Sequence, residues 1–135
     1  MAFDQTLTTQ AKLVALQALA TGTLKMALYT ANADLGADTL VYTTANEVVG
    51  TGYVAGGNTL TGVTVLTSGT TAYLDFADTT WNPANFTARG ALIYNTSLGN
   101  LAVAVLDFGA DKTTTTTFTV QMPANTATAA LIRFA

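Results

Sequence analysis

Two neighbouring runs decide the fold: Phe86-Thr87-Ala88-Arg89-Gly90-Ala91-Leu92-Ile93-Tyr94-Asn95, and then, beyond Leu98-Gly99-Asn100, Leu101-Ala102-Val103-Ala104-Val105-Leu106-Asp107-Phe108. Successive side chains of a strand point to opposite faces. Period two therefore puts Ala88, Gly90, Leu92 and Tyr94 on one face of the first run and Thr87, Arg89, Ala91 and Ile93 on the other. Gly99 and Asn100 tolerate positive φ, so the connection reads as a tight hairpin. The second run is apolar on both faces, which predicts a strand buried on both sides within a sandwich.

The same grammar extends outward from this hairpin. Leu24 to Thr30, Ala72 to Phe76, Phe118 to Met122 and Ala129 to Phe134 read as strands, and Leu60 to Leu66 alternates over most of its length before Ser68-Gly69 ends it. Leu40 to Thr43 reads as a short strand, and Val48 to Val54, interrupted by Gly50 and Gly52, as either a bulged strand or a turn. Asn32 to Asp38 is a loop, and so is the segment holding Asp78, Trp81, Asn82 and Pro83. Only the segment before Gly22 has helical spacing. Leu13, Leu16 and Ala20 share a face over residues 8–20, Val14 and Ala18 widen it, Thr8 or Thr9 caps the start, and Gly22 stands where a left-handed residue ends a helix. Turn signals recur roughly every 8–12 residues. The prediction is a single all-β domain over residues 1–135, a jelly-roll-like β-sandwich of about eight strands from residue 24 onward, with one short N-terminal helix.

Composition narrows the function. Half of the 135 residues are hydrophobic and only 10% are charged, against roughly 25% in an average soluble domain. A surface so poor in hydrated charge implies that partners cover much of it. The net charge of −3, with Lys12, Lys25, Arg89, Lys112 and Arg133 scattered along the chain, argues against binding a polyanion, which needs clustered phosphate-neutralising side chains. No run approaches the roughly 18 apolar residues of a membrane span, and no signal-peptide pattern is present. The partner expectation is therefore neither nucleic acid nor membrane.

With neither His nor Cys in the chain, nucleophilic triads and the usual zinc sites are excluded. Carboxylates remain. Asp75 and Asp78 flank a strand end, where Asp ordinarily caps backbone N–H groups, and that reading outweighs a glycosidase pair. Asp34 and Asp38 could offer oxygens to calcium, but their spacing does not match an EF-hand loop. The glycines from Gly50 to Gly57 are followed by neither the Lys-Ser/Thr of a phosphate-binding loop nor a helix, so bulge and turn geometry accounts for them. The two N-x-[ST] sequons at Asn85 and Asn95 carry no weight in a Thr-rich chain without a secretory signal. The expectation is a non-enzyme without cofactor or metal. Candidate partner-contact residues are Phe3, Leu7, Trp81, Arg89 and Phe134. Trp81 is either a core plug or an interface anchor, and Arg89 either pairs with Asp75, Asp78 or Asp107 or reaches another subunit.

Asn46-Glu47-Val48-Val49-Gly50-Thr51-Gly52-Tyr53-Val54-Ala55-Gly56-Gly57 with Leu60, then Thr80-Trp81, Thr87 to Asn95 and Leu106-Asp107-Phe108-Gly109, resembles a signature of small virion structural proteins of tailed bacteriophages. Ala11-Lys12 in the helix and Lys25-Met26-Ala27-Leu28-Tyr29 fit the same pattern. The resemblance implies a capsid decoration, or cement, protein. Such a protein is made in the host cytoplasm, forms a homodimer or homotrimer, and binds the major capsid protein on the outer head surface of the virion, bridging capsomers. A neck or tail component (tail tube, terminator or fibre-associated) is the alternative, and a carbohydrate-binding β module using exposed Tyr and Trp is a third.

Overall fold

A computed structural model describes residue 3 and residues 5–135. The chain is mostly β with one α-helix, and every strand pairing is antiparallel. The helix α1 (Thr9–Leu19) precedes β1 (Leu24–Tyr29), β2 (Asn58–Thr59), β3 (Thr64–Ser68), β4 (Thr71–Asp75), β5 (Thr79–Trp81), β6 (Phe86–Asn95), β7 (Leu101–Thr114), β8 (Phe118–Val120) and β9 (Ile132–Phe134). They form a four-stranded sheet in the order β2-β1-β6-β7, a three-stranded sheet β3-β4-β9 and a two-stranded pair β5-β8.

One core takes side chains from all three sheets: Met26, Leu28, Ala91 and Ile93 from the large sheet, Leu74 from the second, Trp81 and Phe118 from the pair. Helix α1 closes it with Leu16, with Leu13, Leu19 and Ala20 partly buried beside it. Thr8 caps the helix by accepting from the Ala11 N–H at 3.2 Å. Val14 and Ala18, expected to widen the buried stripe, lie on the exposed side, and the buried flank is taken by Lys12 instead, whose Nζ donates to the Thr70 carbonyl at 2.8 Å. The long stem of Lys makes this possible, because it packs as hydrocarbon while its head finds an acceptor.

Strand β6 matches its expected bounds, but its two faces are not those of an unbroken alternation. Phe86, Ala88, Ala91 and Ile93 face the main core, while Leu92 and Tyr94 join Ala27 and Tyr29 in a second cluster on the other side. A register break explains the switch: Ala88 pairs with Lys112 but Gly90 pairs with Asp107, so Arg89 alone stands opposite residues 108–111 of β7. A bulge shifts every side chain beyond it to the opposite face. A Cβ on Gly90 would lie 2.7 Å from the Leu106 carbonyl oxygen, so this close crossing requires glycine.

The Leu60 to Leu66 alternation yields a strand only from Thr64, because Gly62 turns the chain with φ +61°. Leu40 to Thr43 contributes a single bridge, Val41 to Leu101, and Val48 to Val54 takes the turn form rather than that of a bulged strand. Beyond Asn95 a single 3-10 turn, Thr96–Leu98, leads into Gly99 and Asn100, both with positive φ, as the hairpin reading requires.

The main departure is β7. Leu101 to Phe108 was expected to be sandwiched, yet β7 is an edge strand and none of its residues is fully buried. Its apolar character therefore belongs in part to the surface.

Candidate interaction surface

The segment between β1 and β2 carries the longest continuous stretch of the resemblance signature, Asn46 to Gly57, and acts as a strap. Val48 N–H donates to the Leu28 carbonyl at 2.9 Å, and Tyr29 bridges to Glu47, so the strap runs along β1. On one side Tyr42 stacks on Tyr94 with ring centroids 4.6 Å apart. On the other, Val48 and Tyr53 pack on the main core. Between them Glu47 is buried, and its carboxylate is the fastening. Tyr42 Oη donates to Oε1 at 2.6 Å, while Tyr53 Oη and the Gly56 N–H donate to Oε2 at 2.5 and 2.8 Å. Tyr94 Oη donates to the Gly56 carbonyl at 2.7 Å and Tyr29 Oη to the Thr43 carbonyl at 2.6 Å. Gly57, with φ +77°, lets the strap approach β1: a Cβ there would fall 1.7 Å from the Met26 carbonyl oxygen.

Burial, with the Glu47 carboxylate adding to it, pushes the Tyr29, Tyr42, Tyr53 and Tyr94 phenols well above their ordinary value, so all four remain protonated donors at neutral pH. Both oxygens of Glu47 are occupied by the protein's own donors, and the cluster is a structural clasp. No sequence signal marked Glu47 as buried.

The surface itself offers apolar edges and clefts. Among the described residues, thirteen large apolar side chains stand exposed, as many as the five basic and eight acidic residues of the whole chain. Four of them gather at the start of β7. Val41 pairs with Leu101, the Leu40 carbonyl accepts from the Ala102 N–H at 3.0 Å, and Val105 stands on the same strand. A cleft of about 290 Å³ lies between the Ala31–Leu35 loop and β7, floored by Tyr29 and Gly90 and flanked by Arg89 and Asp107. A larger groove of about 550 Å³ runs between β7 and β8, with Leu106, Phe108, Phe118, Met122 and Leu131 in its lining.

The five candidate contact residues are not brought together as one site. Phe3 and Leu7 lie before the helix, 91% and 49% exposed, and Phe134 is 40% exposed on β9. Trp81 is corrected as a surface anchor. It is 3% exposed and packs edge-on to Phe118 at 6.1 Å, because the core beneath the β5-β8 pair needs a large aromatic side chain. Arg89 is half-buried beside the bulge and pairs with Asp107, Nε to Oδ1 at 3.6 Å, the intramolecular partner being one of the three expected. With both side chains substantially solvated, the pair contributes little stability.

The carboxylates weighed for chemistry do backbone work. Asp78 Oδ1 accepts from the Met122 N–H at 2.7 Å, and Asp75 Oδ1 from the Phe76 N–H at 2.8 Å. Asp75 is 1% exposed, and its Oδ2 has no hydrogen-bond partner among the described residues. Asp34 and Asp38 are both exposed, and among the described residues no group of three or more acidic, His or Cys side chains is placed to hold a metal. Nor, among the described residues, is any helix long and apolar enough to cross a membrane. Comparison with protein-family models, curated proteins and solved structures finds no match for this chain.

Proposed function

We propose that this chain is a non-enzymatic structural protein of a tailed-phage virion, a capsid decoration protein that self-associates and clamps neighbouring capsomers of the major capsid protein from the outer head surface. The observation that carries the reading is the exposed apolar surface just described, on a chain with so few charges to oppose association. Large apolar side chains left in water stabilise a complex when covered, at roughly 25 cal/mol per Å². Weak neutral contacts repeated by symmetry add through multivalency. Much of the resemblance signature falls on the strap, the bulged β6 and the bulge end of β7, segments that pair with one another or with β1. A jelly-roll sandwich is part of this reading. Its support is that every pairing is antiparallel and that a single core draws on all three sheets.

A neck or tail subunit remains the second reading, since an apolar edge serves either position. The carbohydrate-binding reading loses its premise. It needed exposed Tyr and Trp, whereas Tyr29, Tyr73, Tyr94 and Trp81 are buried and Tyr42 and Tyr53 half-buried.

A particle reconstruction with this chain located in density is the test. A decoration protein appears in hundreds of copies spread over the head. About a dozen copies at one vertex would replace this reading with the neck alternative, and absence from purified particles would sink both.

A further inference from the structure

Beyond β8 the chain returns to β9 across the face of β4 that points away from the main core. Ala72, Leu74 and Phe76 enter that core, so alternation turns Asp75 to the opposite side. Thr64 stands opposite Asp75 on β3 and shares its face. Asn125 Nδ2 donates to Thr64 Oγ1 at 2.8 Å, which brings residues 121–131 over that face. The Met122 N–H, donating to Asp78 Oδ1 at 2.7 Å, fastens one end, and Ile132, paired with Leu74, fastens the other.

The cover is light. Residues 121–131 contain neither helix nor strand, and Ala130 alone among them is fully buried. What lies beneath opposes closure. Asp75 is 1% exposed; its Oδ1 accepts from the Phe76 N–H, and its Oδ2 has no donor among the described residues. A buried acceptor without a donor has lost its hydration with nothing in return, and it regains water when the cover lifts. We infer that residues 121–131 form a flap closed against this penalty, which opens locally while the core stays folded. Nothing in the device needs a partner, so it stands or falls apart from the virion reading.

Amide hydrogen exchange on the full chain is the test. The Met122 and Ala130 amides, both hydrogen-bonded in the closed flap, are expected to exchange faster than those of Ala91 to Asn95 in β6, which open only with the core. Asp75→Asn keeps an acceptor for the Phe76 N–H and sets a donor beside Thr64 in place of the bare oxygen. It is expected to slow exchange at Met122 and Ala130 by about fivefold or more. Asn125→Ala removes the grip on Thr64 without touching Asp75, and is expected to quicken exchange at the same two amides in a chain that still folds. Flap amides as slow as those of β6 in the unaltered chain overturn the inference. So does an Asp75→Asn chain that fails to fold or whose flap exchange is unchanged or faster, and so does an Asn125→Ala chain without effect on the two amides.

Discussion

Strands β6 and β7 are joined by one hairpin and are similarly apolar, yet they live in different environments. Ala91 to Asn95 is buried throughout, whereas no residue of β7 is. The difference lies in their neighbours. Strand β6 has β1 on one side and β7 on the other, the main core beneath one face and the Tyr42 stack over the opposite face. Strand β7 has one strand neighbour, supplemented only near Leu101 by the Leu40–Val41 bridge. Apolar composition thus serves cohesion in one strand and leaves docking surface on the other.

That contrast can be broken most sharply at Leu92. It is fully buried, and Leu92→Ala is expected to cost about 2–5 kcal/mol through lost transfer energy and the cavity left behind, read as a lower urea midpoint. A loss under about 1 kcal/mol would mean that β6 is not the central strand. The next effect in size is at the clasp. Glu47→Ala leaves the Gly56 N–H and two phenols without their acceptor and is expected to cost about 1–3 kcal/mol, with faster amide exchange across residues 42–57 than elsewhere. Uniform exchange would show that the carboxylate does not hold the strap.

Alkaline titration tests the same region by another route. The four raised phenols hold their protons in the folded state above pH 10.0, where the unfolded chain releases them. The folded state then binds more protons than the unfolded one, so stability is flat up to about that pH and falls as pH rises beyond it. In a Tyr73→Phe background, which leaves only these four phenols, phenolate absorbance should appear together with loss of fold, and phenolate appearing at ordinary pH in a still-folded chain would contradict the buried cluster. The smallest effect is expected at the edge. Val105→Ala, at a residue 39% exposed, should change unfolding stability by no more than about 0.5 kcal/mol. A larger loss would mean that this part of β7 is covered within the single chain.

Much of the architecture was legible from local pattern. The helix with its Thr8 cap, the bounds of β6 and the Gly99-Asn100 connection follow from period, capping chemistry and positive-φ tolerance, all properties of adjacent residues. The candidate surface was less legible. Phe3, Leu7 and Phe134 are exposed, but Trp81 belongs to the core, and the β7 edge and its groove were hidden behind an expectation of burial. The reason is physical: a run apolar on both faces looks the same whether a second neighbour completes its burial or not.

The sequence by itself determined a β-rich chain with one short helix and an inventory without His or Cys, because these depend on side-chain identity and on spacing along a few residues. Tertiary structure alone decided three things. It set the bulge that turns Leu92 away from the main core, since a register break between Ala88 and Gly90 reverses a face without changing the apolar content of the run. It brought Glu47 beneath two tyrosines, since a carboxylate's burial depends on donors distant in the chain. And it placed β7 at a sheet edge, since the number of neighbours a strand has is a property of the whole sheet.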